Sequence, residues 1–250
     1  MSDLVQRVPP VVRARALVKR FRSLVALDGV DLEAEAGECV GVLGPSGSGK
    51  SVLVRALYGR VLPDSGSVRI FGLDVARQPR RVRAGLGVVP QDDDLDPSGT
   101  VRGELRLHGR CFGLPASESR TRIEEILAFV GIEDRRGRPI ADLSPGTRRR
   151  AALARALLHA PSLLLADEPS MGLPPSERRA LQDRLRALHR AGHTILLAPR
   201  DPEEAALLCD RVVVLDHGRV LESGAPAALV ERHAADRTGG LRDVFLRLAG

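Results

Sequence analysis

Gly44, Pro45, Ser46, Gly47, Ser48, Gly49, Lys50 and Ser51 follow one another in the order glycine, four residues, glycine, lysine, hydroxyl. Such a run suits a triphosphate. Its glycines let successive N–H groups wrap an anion, the lysine adds a point charge for the β and γ phosphates, and the hydroxyl faces Mg²⁺. Lys50 is one of only two lysines among the 38 lysines and arginines, and it stands at the one place where the chemistry asks for an ammonium. A second group of candidates follows the apolar run Leu163-Leu-Leu-Ala166, which ends in Asp167 and Glu168. Asp167 is placed to orient Mg²⁺ and Glu168 to polarise an attacking water.

These groups need a scaffold that brings residues 44–51 and 167–168 together. Short, β-branched or leucine-rich runs at Cys39–Leu43, Leu86–Val89, Leu163–Ala166, Thr194–Leu197 and Val212–Leu215 read as fully buried parallel strands. Helical patterns lie between them at Ser51–Tyr58, Ser117–Val130, Pro145–His159 and Ser176–Ala191. Alternating strands and helices indicate an α/β fold with a parallel sheet, whose ligands sit at the carboxyl edge. Toward the N-terminus, Val12, Ala14, Ala16 and Val18 alternate with Arg13, Arg15, Leu17 and Lys19, and Val30, Leu32, Ala34 and Ala36 alternate with acids. Both read as half-buried strands of an antiparallel layer, the first named set facing inward. Met1–Pro10 reads as a frayed tail.

Composition narrows the function further. A chain of 250 residues with 43% hydrophobic and 28% charged residues has globular composition, and it contains no apolar run long enough for a membrane span or a leader. The net charge of +6 invites a nucleic-acid reading, but five Phe, one Tyr and no Trp provide few platforms for stacking bases. Arg148, Arg149 and Arg150 read as a solvated helix face that could also be drawn to anionic lipid headgroups. Cys39, Cys111 and Cys209 have no metal-ligand spacing and read as reduced, buried thiols.

Over nearly its whole length the sequence resembles the nucleotide-binding subunits of ABC transporters. Gln91, in Val88-Val-Pro-Gln91, matches the family's Q-loop, Phe21 matches the aromatic that stacks on adenine, and Leu143-Ser-Pro-Gly-Thr147 occupies the place of the LSGGQ signature. The segments Pro90–Pro97, Thr100–Glu104 and Leu241–Leu246 look most like ATPases of drug-resistance and lipo-oligosaccharide exporters of the nodulation-factor type. The resemblance implies a P-loop NTPase of the RecA-like kind. It implies one nucleotide-binding domain over 1–250, with 11–97 and 161–225 as α/β core and antiparallel layer, 98–160 as a helical subdomain carrying the signature, and 226–250 as a helical tail.

It further implies that ATP is held by Phe21, residues 44–51 and Val52, that Mg²⁺ is held by Ser51, Gln91 and Asp167, and that Glu168, Gln91 and Arg200 act in catalysis. Two subunits then close head to tail, so that Ser144 and Gly146 meet the partner's nucleotide, on an integral membrane permease at the cytoplasmic face. No nucleic-acid partner is expected. Four departures bear on rate: Arg200 stands where the family has its switch histidine, Pro145 replaces the first signature glycine, Pro174 replaces the D-loop aspartate, and Val52 replaces a hydroxyl. The sequence therefore points to an ATP-driven exporter subunit with slow hydrolysis, or alternatively to a regulatory module that binds ATP without turning it over.

Overall fold

The computed structural model describes residues 9–92, 94–233 and 239–249. Most of the expected frayed tail, residues 1–8, lies outside the described residues, as do Asp93 and part of the C-terminal tail.

Six strands form the main sheet: β3 (Cys39–Leu43), β6 (Leu86–Val89), β7 (Leu163–Asp167), β8 (Thr194–Ala198), β9 (Arg211–Asp216) and β10 (Arg219–Gly224). Their order is β10-β9-β3-β8-β7-β6. All pairs are parallel except the β9–β10 hairpin. Side chains alternate faces along each strand. Leu164, Ala166, Ile195, Leu197, Val212 and Val214 enter one buried cluster, while Leu163, Leu165, Leu196, Ala198, Val213 and Leu215 enter the other. Apolar runs without polar alternation follow directly from burial on both faces.

One face is covered by α1 (Lys50–Leu57) and by a second sheet in the order β2-β1-β4-β5. This layer comprises β1 (Val12–Phe21), β2 (Leu24–Ala34), β4 (Ser65–Ile70) and β5 (Leu73–Asp74), followed by α2 (Pro79–Ala84). The opposite face is covered by α3 (Val101–Cys111), α4 (Ala116–Val130), α5 (Pro145–Leu157), α6 (Pro175–Arg190), α7 (Pro202–Leu208), α8 (Pro226–His233) and α9 (Leu241–Leu248). α3, α4 and α5 all lie between β6 and β7 in the chain.

The inward face expected for β1 changes partway along the strand. Val12 and Ala14 are buried, but Leu17 takes the next inward place and Ala16 is exposed. The register with β2 shifts between Ala14 and Leu17, and Ala16 has a left-handed φ of 45°. One inserted residue moves every later side chain to the other face. The bulge is held by the Ala16 N–H donating to Asp31 Oδ1 at 3.0 Å. Gly66 passes so close that a Cβ there would lie 2.4 Å from the Ala16 carbonyl. β2 ends at Ala34, which leaves Ala36 exposed in a turn. Cys39 and Cys209 are buried with their sulfurs 3.9 Å apart; Cys111 is exposed, contrary to the expectation for all three thiols.

Candidate functional site

The loop after β3 is built by close approaches. A Cβ on Gly44 would stand 2.2 Å from the Leu215 carbonyl oxygen, and one on Gly49, at φ 105°, 2.3 Å from that of Ala26. Only glycine fits either place. Gly49 leads into α1, and the Leu53 N–H donates to its carbonyl at 2.8 Å. Lys50, 7% exposed, turns back so that Nζ donates to the carbonyls of Gly44 at 2.6 Å and Pro45 at 3.0 Å. The loop thus closes around its own ammonium. Burial lowers the Lys50 pKa, while the nearby carboxylates of Glu168 and Asp167 pull it back up and Arg200 lowers it again.

Asp167 ends β7 two strands from β3, and its side chain is 2% exposed. Burial raises its pKa, against a hydrogen bond from Ser51. Its Oδ1 and the buried Ser48 Oγ have no hydrogen-bond partner among the described residues. Ser51 Oγ also lies 3.4 Å from Gln91 Oε1, so its single proton serves either Gln91 or Asp167, and Ser51, Gln91 and Asp167 present oxygen atoms to one place. Hard oxygen donors with one carboxylate unpaired fit Mg²⁺. Among the described residues no group of three or more acids, histidines or cysteines is placed to hold a metal.

Glu168 takes a left-handed φ of 45°, and its N–H donates to the Ala198 carbonyl of β8 at 3.0 Å. The strained turn redirects the chain just after the strand. Beyond it, Ser170 Oγ donates to the buried Glu204 carboxylate of α7 at 2.5 Å. Burial pushes the Glu204 pKa up. Arg200 is exposed past the end of β8 and lines a hollow of about 550 Å³ with Ser170, Met171 and Gly172. Pro174 offers no side-chain cap to α6. Phe21 is 44% exposed at the end of β1, with Lys19 Nζ 5.3 Å from its ring centre. The Val52 side chain packs against the core and offers no polar group.

The remaining candidates belong to α5. Ser144 caps it by accepting from the Thr147 N–H at 3.2 Å, with Pro145 in the first turn. Gly146 is buried, and a Cβ there would fall 1.6 Å from Glu177 Oε2. Sequence reasoning missed this carboxylate, which is carried by α6. It also misread Arg149. Instead of a solvated face, its guanidinium donates to the carbonyls of Pro90 at 2.6 Å and Gln91 at 2.9 Å, while Arg150 donates to Gly131 O.

A cleft of about 640 Å³ runs from Asp167 and Gln91 past α1 to His108, Phe112 and His159. His159 Nε2 lies 3.1 Å from the Leu86 carbonyl and therefore carries the proton. Its Nδ1 accepts from His108 Nε2 at 3.3 Å. Burial lowers both pKa values, with His108 at about 4.

A phosphate loop between β3 and α1, an acid pair ending a parallel strand and three helices inserted before that strand define a P-loop NTPase of the ATP-binding-cassette class. Residues 27–171 match the family described as ABC transporter. The chain belongs to that family and is an ABC-type ATPase. It is 40% identical over 221 residues to a protein of Ralstonia nicotianae named Nod factor export ATP-binding protein I, covering 88% of this chain and 69% of that one. A solved ATP-binding subunit of an ABC transporter superposes with a TM-score of 0.86 at 27% identity, covering 95% of this chain and 99% of the other. The cassette MJ0796, solved as a dimer in a post-hydrolysis state with ADP and Pi, superposes with a TM-score of 0.79 at 26% identity, covering 86% and 98%.

Proposed function

We propose that this chain binds Mg-ATP and, through closure of a head-to-tail dimer, powers export through a separate membrane permease at the cytoplasmic face. The observation that carries the reading is that Lys50, its ammonium held by the carbonyls of its own loop, and a buried Asp167 with an unpartnered Oδ1 stand at one sheet edge. Residues 44–51 hold the phosphates and Phe21 the adenine. Ser51, Gln91 and Asp167 face the ion, which supplies charge neutralisation for the phosphoryl group when bound. Val52 contributes only its helical N–H. Glu168 accepts the proton of the attacking water, and the β–γ bridging oxygen departs with ADP. Ser144 and Gly146 meet the partner's nucleotide, on a helical subdomain spanning 98–160 between core segments 11–97 and 161–225, with 226–250 as tail. Export of a substrate related to that named for the relatives is part of this reading, and no nucleic acid takes part.

Slow hydrolysis belongs to it as well. Arg200 gives a permanent charge in a geometry unlike an imidazole's, Pro145 removes an N–H from the signature, and Pro174 removes a carboxylate. The Glu177 carboxylate beside Gly146 puts negative charge where a partner's γ-phosphate would dock, and it also favours the second reading, a regulatory module closed by ATP without turnover. Steady-state ATP turnover at saturating Mg-ATP, compared with Glu168→Gln, separates the two. Turnover that vanishes in the variant supports the transport ATPase. Equal inactivity with ATP still bound supports the regulatory module.

A further inference from the structure

α5 reaches the nucleotide site by an indirect route. Its first residues are taken up by the Ser144 cap and by Glu177 against Gly146. Arg149, five residues beyond the cap, returns to the loop after β6 and donates Nη1 to Pro90 O at 2.6 Å and Nη2 to Gln91 O at 2.9 Å. Those two carbonyls belong to the peptide groups on either side of the Gln91 Cα. A planar guanidinium that engages both fixes the backbone of Gln91 at its two ends, which a lysine ammonium could not do with the same rigidity. The Gln91 side chain, thus aimed, lies 3.4 Å from Ser51 Oγ beside Asp167. From Ser144 to Arg149 is ~7.5 Å of continuous helix, so the signature end and the guanidinium move together.

We propose that Arg149 is a positioning residue that sets the reach of Gln91 toward the oxygens of Ser51 and Asp167, making the seating of the nucleotide's metal depend on where α5 stands. This rests on the reading of Ser51, Gln91 and Asp167 as the magnesium-facing set. The rival is a plain staple between helix and core. A staple would lower the unfolding temperature without singling out the metal.

Binding of a fluorescent ATP analogue to the full chain, with and without Mg²⁺, distinguishes them for wild type, Arg149→Met, Arg149→Lys, Gln91→Ala and the Arg149→Met/Gln91→Ala double variant. Loss of aim is expected to leave metal-free affinity within about twofold and to cut the affinity gained from Mg²⁺ by about fivefold, the scale of one hydrogen bond. Arg149→Lys recovers part of that gain, and in the Gln91→Ala background Arg149→Met changes nothing further. An unaltered gain, an equal loss with and without Mg²⁺, or losses that add in the double variant overturn the proposal. Should Arg149→Met fail to fold, Arg149→Lys with Gln91→Ala completes the same cycle. A wild-type chain that gains nothing from Mg²⁺ overturns the magnesium reading itself, visibly before any variant is compared, and the proposal with it.

Discussion

Asp201 receives the Arg242 guanidinium at 3.2 Å, which fastens α9 to the residue immediately after Arg200. The same carboxylate caps α7 through the Glu203 N–H at 3.1 Å and lies 3.8 Å from Arg178 of α6. One half-buried acid therefore organises the base of the loop that carries Arg200.

Asp201→Ala should cost about 1 kcal/mol through the lost cap, whereas Arg242→Ala, removing only surface pairs to Asp201 and Glu203, should cost less than about 1 kcal/mol. Urea unfolding of the two variants beside wild type checks the ranking. A larger loss from Arg242→Ala would show that α9 packing, not the cap, dominates.

Arg200→His should raise ATP turnover, by as much as about 10²-fold if one aligned donor is missing at present. Steady-state phosphate release measures it. A rate that stays level or falls would mean that Arg200 already supplies the contact.

Asp167→Asn should leave the nucleotide-free protein at least as stable at pH 7, because burial of the charged carboxylate outweighs the hydrogen bond from Ser51 that favours it. The Asp167 pKa is raised on folding, so the penalty for the ionised form is present above that raised value and is relieved as pH falls through it. The stability advantage of the variant should therefore shrink toward acid pH. Thermal unfolding from pH 7 downward, without nucleotide, tests this, and the same variant should lose the Mg²⁺-dependent part of ATP affinity.

His108 reads in the opposite sense. Its pKa is lowered to about 4 by burial and by His159, below the ordinary 6.5, so the unfolded chain binds the extra proton first. Stability contributed by the neutral ring is present above 6.5 and is lost as pH falls from there toward 4. His108→Gln should flatten that part of the pH profile relative to wild type. Urea midpoints at pH 5 and pH 7.5 supply the comparison, and parallel slopes would remove His108 as the source.

The five parallel strands and the phosphate loop were legible because each is a local pattern: apolar runs buried on both faces, and glycines where the backbone passes under 2.5 Å from a would-be Cβ. Asp201 before Pro202 and two glutamates is a helix start that went unread, and it would have located α7. β10 escaped because it alternates half-buried and exposed positions on the sheet edge. Leu17 was misplaced since nothing in an alternating sequence announces a bulge at Ala16. Arg149 and Glu177 were opaque for a different reason. Each owes its role to a residue distant in sequence, Gln91 and Gly146, and their own neighbours on α5 and α6 look like ordinary charged helix surface.

The central place of β3 has a consequence for how the molecule is made. Among the described residues β3 pairs with β8 and β9, Cys39 facing Ile195 and Val40 facing Arg211. While the chain emerges from the ribosome, β2 stands beside Gly49 through Ala26, but β3 has no strand to pair with in the main sheet until most of the polypeptide has been synthesised, and closing so long a loop carries an entropic cost that slows folding. The pairing that anchors the phosphate loop to the main sheet is therefore completed late. ATP acts as a ligand of the completed fold, and its stabilisation by mass action arrives only after the last parallel strand has docked.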